Sequence, residues 1–179
     1  MEILKTKRLI LRRLILNDIE DVFHYSSNRE VTKFVTWEAH QTFDDTLNFL
    51  QYLFKQYQNG QTGQWGIEFQ ETGKIIGAID FVSMKAESTI GEVGYILSED
   101  YWGQGIMTEA LQEVMRYGFK TMNLKRIEAK CVANNKASSR VLEKANMRLE
   151  GTSRQSFLMK GNYHDVKHFS ILKEEFKEK

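Results

Sequence analysis

The stretch that most constrains this chain is a strand that passes through a glycine turn directly into a helix. It reads Gly91-Glu92-Val93-Gly94-Tyr95-Ile96-Leu97, then Ser98-Glu99-Asp100, then Tyr101-Trp102-Gly103-Gln104-Gly105, which opens Ile106-Met107-Thr108-Glu109-Ala110-Leu111. Residues 90–97 are expected as strand and about 106 to 120 as helix, with Ala110, Leu111, Val114 and Met115 turned inward. Two glycines let the backbone approach a ligand closely and aim successive N–H groups at it. The first N–H groups of the helix lack internal partners, and the positive end of its dipole lies there. Together these features suit a phosphate or pyrophosphate. A lone Gly-x-Gly also reads as a tight connection and nothing more. The stretch is not Gly-x-Gly-x-x-Gly, and no Gly-Lys-Ser/Thr follows, which argues against nicotinamide-nucleotide and nucleoside-triphosphate loops.

The remaining chain supplies strands and helices around this unit. Residues 8–16 read as a strand, and Asn17 with Glu20 reads as a helix start whose apolar face is Ile19, Val22 and Phe23. Thr42 with Asp45 marks a second helix, with Phe43, Leu47, Leu50, Phe54 and Tyr57 at helical spacing; Asn59-Gly60 and Gly63 are expected to end it. Trp65 to Phe69 and Ile75 to Val82 form a hairpin about Glu71-Thr72-Gly73-Lys74, and a polar loop leads on to the strand at 90. A strand over 126–132, a helix over 136–145 and two strands near 147–159 and 163–173, turning at Lys160-Gly161-Asn162, complete the chain. Helices packed on a mixed sheet make an α+β or α/β layered fold, in one domain over residues 1–179.

Composition removes several function classes. Twenty-five basic against 24 acidic residues leave a net charge of +1, so no field favours nucleic acid or an acidic membrane. The densest basic run, Lys5, Lys7, Arg8, Arg12 and Arg13, reads as the solvated face of an edge strand. Cys131 is the one cysteine; it excludes a disulfide framework and, in the alternating Ile127-Glu128-Ala129-Lys130-Cys131, is expected to face inward. His24, His40, His164 and His168 form no tight ligand pattern, and no metal is expected. No apolar run approaches the roughly 20 residues of a membrane span, so a cytoplasmic protein is expected.

A second constellation lies about 30 residues on: Asn134-Asn135-Lys136-Ala137-Ser138-Ser139-Arg140-Val141-Leu142-Glu143-Lys144-Ala145-Asn146-Met147. Read alone, Asn135 is a favoured helix cap and Ser138 a first-turn residue. Read with the first, the pair resembles the GNAT superfamily of N-acetyltransferases. Trp102-Gly103-Gln104-Gly105-Ile106-Met107 resembles its motif A (Arg/Gln-x-x-Gly-x-Gly/Ala), and Asn135-x-x-Ser138 with Glu143-Lys144 resembles its motif B. The opening Thr6-Lys7-Arg8-Leu9-Ile10-Leu11-Arg12, the Val31 to Trp37 segment, the Tyr101-Trp102-Gly103-Gln104-Gly105 turn and Gly161-Asn162-Tyr163-His164-Asp165 are similar to the ribosomal-protein N-terminal acetyltransferase (RimJ/RimL-type) branch. Trp102 and Met107 depart from motif A. Asn146-Met147 stands where Gly-Phe is usual, though Asn tolerates the left-handed conformation of a helix end.

The resemblance implies a mixed, mostly antiparallel twisted sheet flanked by helices, with acetyl-CoA as co-substrate and no metal. It implies that the pantetheine arm pairs with the strand at Ile96 and Leu97, one of whose N–H groups would serve as an oxyanion donor. The pyrophosphate would lie on the turn and helix start, Trp102, Gly103, Gln104, Gly105, Ile106, Met107 and Thr108, with the amides of Gln104, Gly105, Met107 and Thr108 as donors. Asn135 would hold the pantetheine. Glu92 is the candidate base, four residues before Ile96 and so on its face of the strand; an ordinary exposed strand glutamate is the plainer reading. Ser138 is the candidate acid, with Tyr95 and Tyr101 as competitors. Trp37, Tyr95 and Asp165 are candidates for the acceptor pocket, although an Asp beside a turn is more often structural. The implied acceptor is the N-terminal α-amino group of a (ribosomal) protein or peptide. The alternatives are a small amine (polyamine, amino acid or antibiotic) or a non-catalytic acetyl-CoA-binding module, in a monomer or homodimer.

Overall fold

A computed structural model describes residues 1–59, 64–85 and 89–177. The expected stop at Gly60 and Gly63, and part of the polar loop before residue 90, lie outside the described residues. The chain forms two compact units, Met1–Asp80 with Tyr95–Ile106, and Phe81–Gly94 with Met107–Lys179.

The first unit contains β1 (Leu4–Lys5), β2 (Leu9–Arg13), α1 (Ile19–Ser26), α2 (Arg29–Thr32), α3 (Phe43–Gln58) and β3 (Trp65–Phe69). It also takes the first part of β4 (Lys74–Lys85) and the end of β5 (Ile90–Leu97). The second unit contains the rest of those two strands with α4 (Ile106–Lys120), β6 (Arg126–Val132), α5 (Lys136–Lys144), β7 (Arg148–Met159) and β8 (Asn162–Leu172). Because β4 and β5 run through both, the strand order reads β1-β2-β3-β4-β5-β6-β8-β7. The sheet is mixed and mostly antiparallel, with β5 and β6 parallel. Parallel neighbours need a crossover, and α4 supplies it.

In the first unit, Leu14, Val22, Tyr25, Val31, Leu50, Leu53, Tyr57 and Ile75 bury a common core. The capping box expected at α3 is present: Thr42 Oγ1 accepts from the Asp45 N–H at 3.3 Å, and Asp45 Oδ2 accepts from the Thr42 N–H at 2.9 Å. The buried stripe of α3 is Thr46, Leu50, Leu53 and Tyr57. Phe43 therefore falls outside it, half exposed, and stacks on Phe23 with ring centroids 4.4 Å apart. Two expectations are corrected here, and one element goes beyond them. Asn17 does not cap α1; it lies inside a 3-10 turn (Leu16–Asp18), where the Asp18 carboxylate accepts from the Ile15 N–H. The four-residue α2, capped by Asn28, is too short to leave a periodic signal. Of the basic run, Lys5, Lys7 and Arg13 are exposed and Lys5 lies on the edge strand β1, but Arg12 departs from a solvated edge, half-buried between Asp18 and Glu68.

In the second unit, α4 lies close on the sheet because two positions lack a side chain. A Cβ on Gly91 or on Gly118 would stand 2.8 Å from the Phe81 ring. Val93, Leu111, Val114, Met115, Phe119, Ile127, Phe169 and Ile171 fill the core there. Helix α5 ends at Asn146 with φ +64, the left-handed conformation expected of it. Cys131 is buried as expected, its Sγ 3.4 Å from Ser139 Oγ.

Candidate active site

The turn that opens α4 lies in the first unit and is held almost wholly by backbone oxygens. The Trp102 indole Nε1 donates to the Leu97 carbonyl at 2.9 Å, and Gln104 Nε2 donates to the Asp100 carbonyl at 3.0 Å. The Tyr101 and Trp102 N–H groups donate to Ser98 and Glu99 in a 3-10 turn. Gly103 and Gly105 both have φ +75, a conformation that costs any residue with a Cβ roughly 1–2 kcal/mol. Apart from each glycine and its chain neighbours, nothing among the described residues lies within 4 Å of where a Cβ on Gly103 would stand, and at Gly105 only Arg8 Nη2 does, at 3.9 Å. The two glycines thus leave open space at the head of a 15-residue helix, which side chains would otherwise occupy. Open space beside the first N–H groups of a helix suits an anionic group.

Side chains around the turn have their own tasks. Ile106 and Met107 are 1% and 3% exposed, so their side chains belong to the core. The two carboxylates of the turn are engaged: Asp100 Oδ2 lies 2.8 Å from His24 Nε2, and Glu99 Oε2 accepts from Asn28 Nδ2 at 2.8 Å. Trp102 is 44% exposed and braces the turn through its indole N–H. Arg8 was passed over in the sequence; its Nη1 donates to the Gln104 carbonyl at 3.1 Å, across 96 residues. Trp37 lies apart from the turn in sequence, 37% exposed, its ring centroid 5.3 Å from that of His40. Burial pushes the His40 imidazole down from its usual pKa, and its Nδ1 lies 2.8 Å from Thr46 Oγ1.

The second unit carries the other candidates. Glu92 pairs across the parallel register with Glu128, and its Oε2 accepts from Lys130 Nζ at 2.8 Å. Register between β5 and β6 runs from Ile90↔Arg126 to Val93↔Ala129, while β5 continues to Leu97 and β6 to Val132. Alternation along β6 buries Ile127, Ala129 and Cys131 and leaves Arg126, Glu128 and Lys130 on the other face. On that face Arg126 bonds Glu128 and Glu150, Ser170 Oγ donates to Glu150 at 2.7 Å, and Ser153 Oγ lies 2.8 Å from His168 Nε2. The Arg126 guanidinium, with Ser170, holds the Glu150 carboxyl down at about 2.

Asn135 is the N-cap of α5, and its Oδ1 accepts from the Ser138 N–H at 3.0 Å. Ser138 is half-buried on the first turn above it. Asp165 Oδ1 accepts from the Gln155 N–H at 2.8 Å and so secures a β7 bulge where Gln155 has φ +46. Glu92 and Lys130, 38 residues apart, are brought together by register; no spacing rule finds such a pair. Among the described residues no three His, Cys, Asp or Glu side chains group as metal ligands do, and no helix is long and apolar enough to cross a membrane.

Comparison with known proteins agrees with this architecture. Residues 8–148 match the acetyltransferase (GNAT) domain family. The chain is 35% identical over 176 residues to the uncharacterized N-acetyltransferase p20 of Bacillus licheniformis, covering 98% of this chain and 99% of that one. It is 31% identical over 126 residues to the ribosomal-protein-serine acetyltransferase of Escherichia coli, covering 70% of this chain and 69% of that one. The crystal structure of a GNAT-family acetyltransferase from Bacillus anthracis superposes with a TM-score of 0.87 at 30% identity, over 97% of this chain and 100% of that one. The chain belongs to the GNAT acetyltransferase family, in its RimJ/RimL-like branch, and is an acetyl-CoA-dependent N-acetyltransferase.

Proposed function

We propose that this chain, acting as a single GNAT domain in the cytoplasm, acetylates the N-terminal α-amino group of a protein or peptide. The observation that carries the choice of acceptor is the likeness to the E. coli ribosomal-protein-serine acetyltransferase over 70% of the chain. An α-amino group also asks less of a base than lysine does, with a pKa of about 8 against about 10.4.

Acetyl-CoA supplies an acetyl group activated as a thioester. The amides of Gln104, Gly105, Met107 and Thr108 hold its diphosphate, in keeping with the open space at Gly103 and Gly105. The end of β5 past its register with β6 presents backbone for the pantetheine arm. Leu97, whose carbonyl holds the Trp102 indole, contributes its N–H as partner to the arm or donor to the thioester oxygen. Asn135, its Oδ1 spent on the cap, has its Nδ2 left to donate to the arm.

Glu92 removes a proton from the acceptor ammonium, directly or through water. The amine nitrogen then bonds the acetyl carbon as the carbon–sulfur bond breaks, and Ser138 returns a proton to the departing sulfur. Lys130 must share Glu92 with the acceptor, since both cations seek the same carboxylate. Trp37 and Tyr95 are proposed to line the acceptor side. Asp165 remains a candidate there through charge alone, its Oδ1 being engaged by the β7 bulge.

The test is thiol release from acetyl-CoA against peptides starting with Ala or Ser, their N-blocked counterparts, lysine peptides, polyamines and amine antibiotics. Turnover confined to free N-termini supports the proposal. Turnover confined to a polyamine or antibiotic replaces it with the small-amine reading, and acetyl-CoA binding without turnover of any acceptor replaces it with a binding module.

A further inference from the structure

We propose that Arg8 is a positioning residue for the diphosphate of acetyl-CoA, acting through the peptide bond between Gln104 and Gly105. The proposal rests on the acetyl-CoA reading of the turn and adds a residue to it from a strand far away in sequence.

The geometry is local to the first unit. Arg8 immediately precedes β2, and its Nη1 donates to the carbonyl oxygen of Gln104 at 3.1 Å. Its Nη2 stands 3.9 Å from where a Cβ on Gly105 would be, and apart from Gly105 and its chain neighbours no other described residue comes within 4 Å of that point. In a planar trans peptide the C=O and the following N–H point to opposite sides. A guanidinium that pins the Gln104 carbonyl therefore fixes where the Gly105 N–H points, and that N–H is one of the donors proposed for the diphosphate. Gly105, at φ +75 and without a Cβ, would otherwise let this peptide rotate readily.

Two further effects act in the same direction. A cation on the carbonyl polarises the peptide and strengthens its N–H as a donor. The positive charge beside Gly105 also adds to the helix dipole where two phosphates must lose water. Arginine suits this task because its charge strengthens the hydrogen bond it donates to the carbonyl. The two acidic side chains of the turn do not oppose it from nearby unpaired positions, since Asp100 is paired with His24 and Glu99 with Asn28.

The experiment compares wild type, Arg8→Gln and Arg8→Lys by calorimetric binding of acetyl-CoA and of 3′-dephospho-coenzyme A, which keeps the diphosphate. Thiol release at varied acetyl-CoA supplies KM and kcat where an acceptor has been found. The expected result is that Arg8→Gln weakens both ligands by about tenfold or more, the loss of one charge-assisted contact. KM should rise with kcat within about twofold, and Arg8→Lys should recover part of the loss through its charge. Binding by Arg8→Gln within about twofold of wild type overturns the proposal. So does a loss confined to acetyl-CoA, because that assigns Arg8 to the 3′-phosphate. Melting temperatures identify a variant that fails to fold; if Arg8→Gln does, Arg8→Met takes its place and is judged by the same ratios. Wild-type protein that binds neither ligand would overturn the acetyl-CoA reading itself, an outcome distinct from a variant that binds as well as wild type.

Discussion

The turn into α4 and the polar face of β6 are built by opposite means. The turn is made of backbone, with two left-handed glycines, carbonyls holding the Trp102, Gln104 and Arg8 side chains, and helix amides left to donate. The face around Glu92 is made of side chains, with Lys130, Arg126, Glu128 and Glu150 meeting from three strands in ion pairs. A backbone site recognises a group shared by every turnover, and it depends little on which side chains surround it. A side-chain site can change its acceptor by one substitution. The difference predicts that the two regions fail differently when mutated.

The largest effect is expected at the side-chain site. Glu92→Gln should lower kcat by about 10²–10⁴ while leaving acetyl-CoA binding within about twofold. Lys130→Met, which removes only the partner, should cost less than about tenfold in kcat. Equal losses from the two would show that the ion pair acts as a unit and that the carboxylate is not the base. Next comes Gly105→Val, which places a β-branched residue at φ +75 and fills the open space. It should raise the Kd for acetyl-CoA by about a hundredfold with kcat at saturation little changed. A Kd within threefold of wild type would break the claim that backbone holds the diphosphate. Ser138→Ala should lower kcat by about tenfold, because solvent can protonate the thiolate in its place; no change in the kcat pH profile would remove Ser138 from the chemistry.

The smallest effect concerns stability. Burial pushes the Asp80 carboxyl up to about 7 from the ordinary 3.8. Between those two values the folded chain holds a proton that the unfolded chain has released, so stability falls as pH rises through this window and is level above it. Asp80→Asn should abolish that slope and raise the melting temperature at pH 8 by a few degrees. Parallel melting curves for the variant and wild type from pH 4 to 8 would show that Asp80 is ordinary.

How much of this was legible in the sequence follows the same division. Strands β5 and β6 and helix α4 have the bounds the sequence predicts, and α5 ends one residue early, because periodicity and glycines mark their ends. Asn146 was expected to be left-handed and is. Phe43 misled because it keeps the spacing of the stripe but is the first residue of α3, half exposed against Phe23, and Asn17 misled because Asp18, next to it, offered the better acceptor. The partners of Glu92 and Arg8 were illegible for a stronger reason. They depend on strand register and on a contact spanning 96 residues, and neither leaves a local pattern.

The Trp102 indole, half exposed and tethered to the Leu97 carbonyl, gives the chain an optical reporter at its most informative place. Trp65 is buried and Trp37 lies in another loop, so replacing Trp37 with Phe would leave an emission spectrum whose solvent-sensitive part comes from this turn. Filling the open space would change the water around that ring, and a simple fluorescence titration would then follow ligand uptake without label, acceptor or turnover.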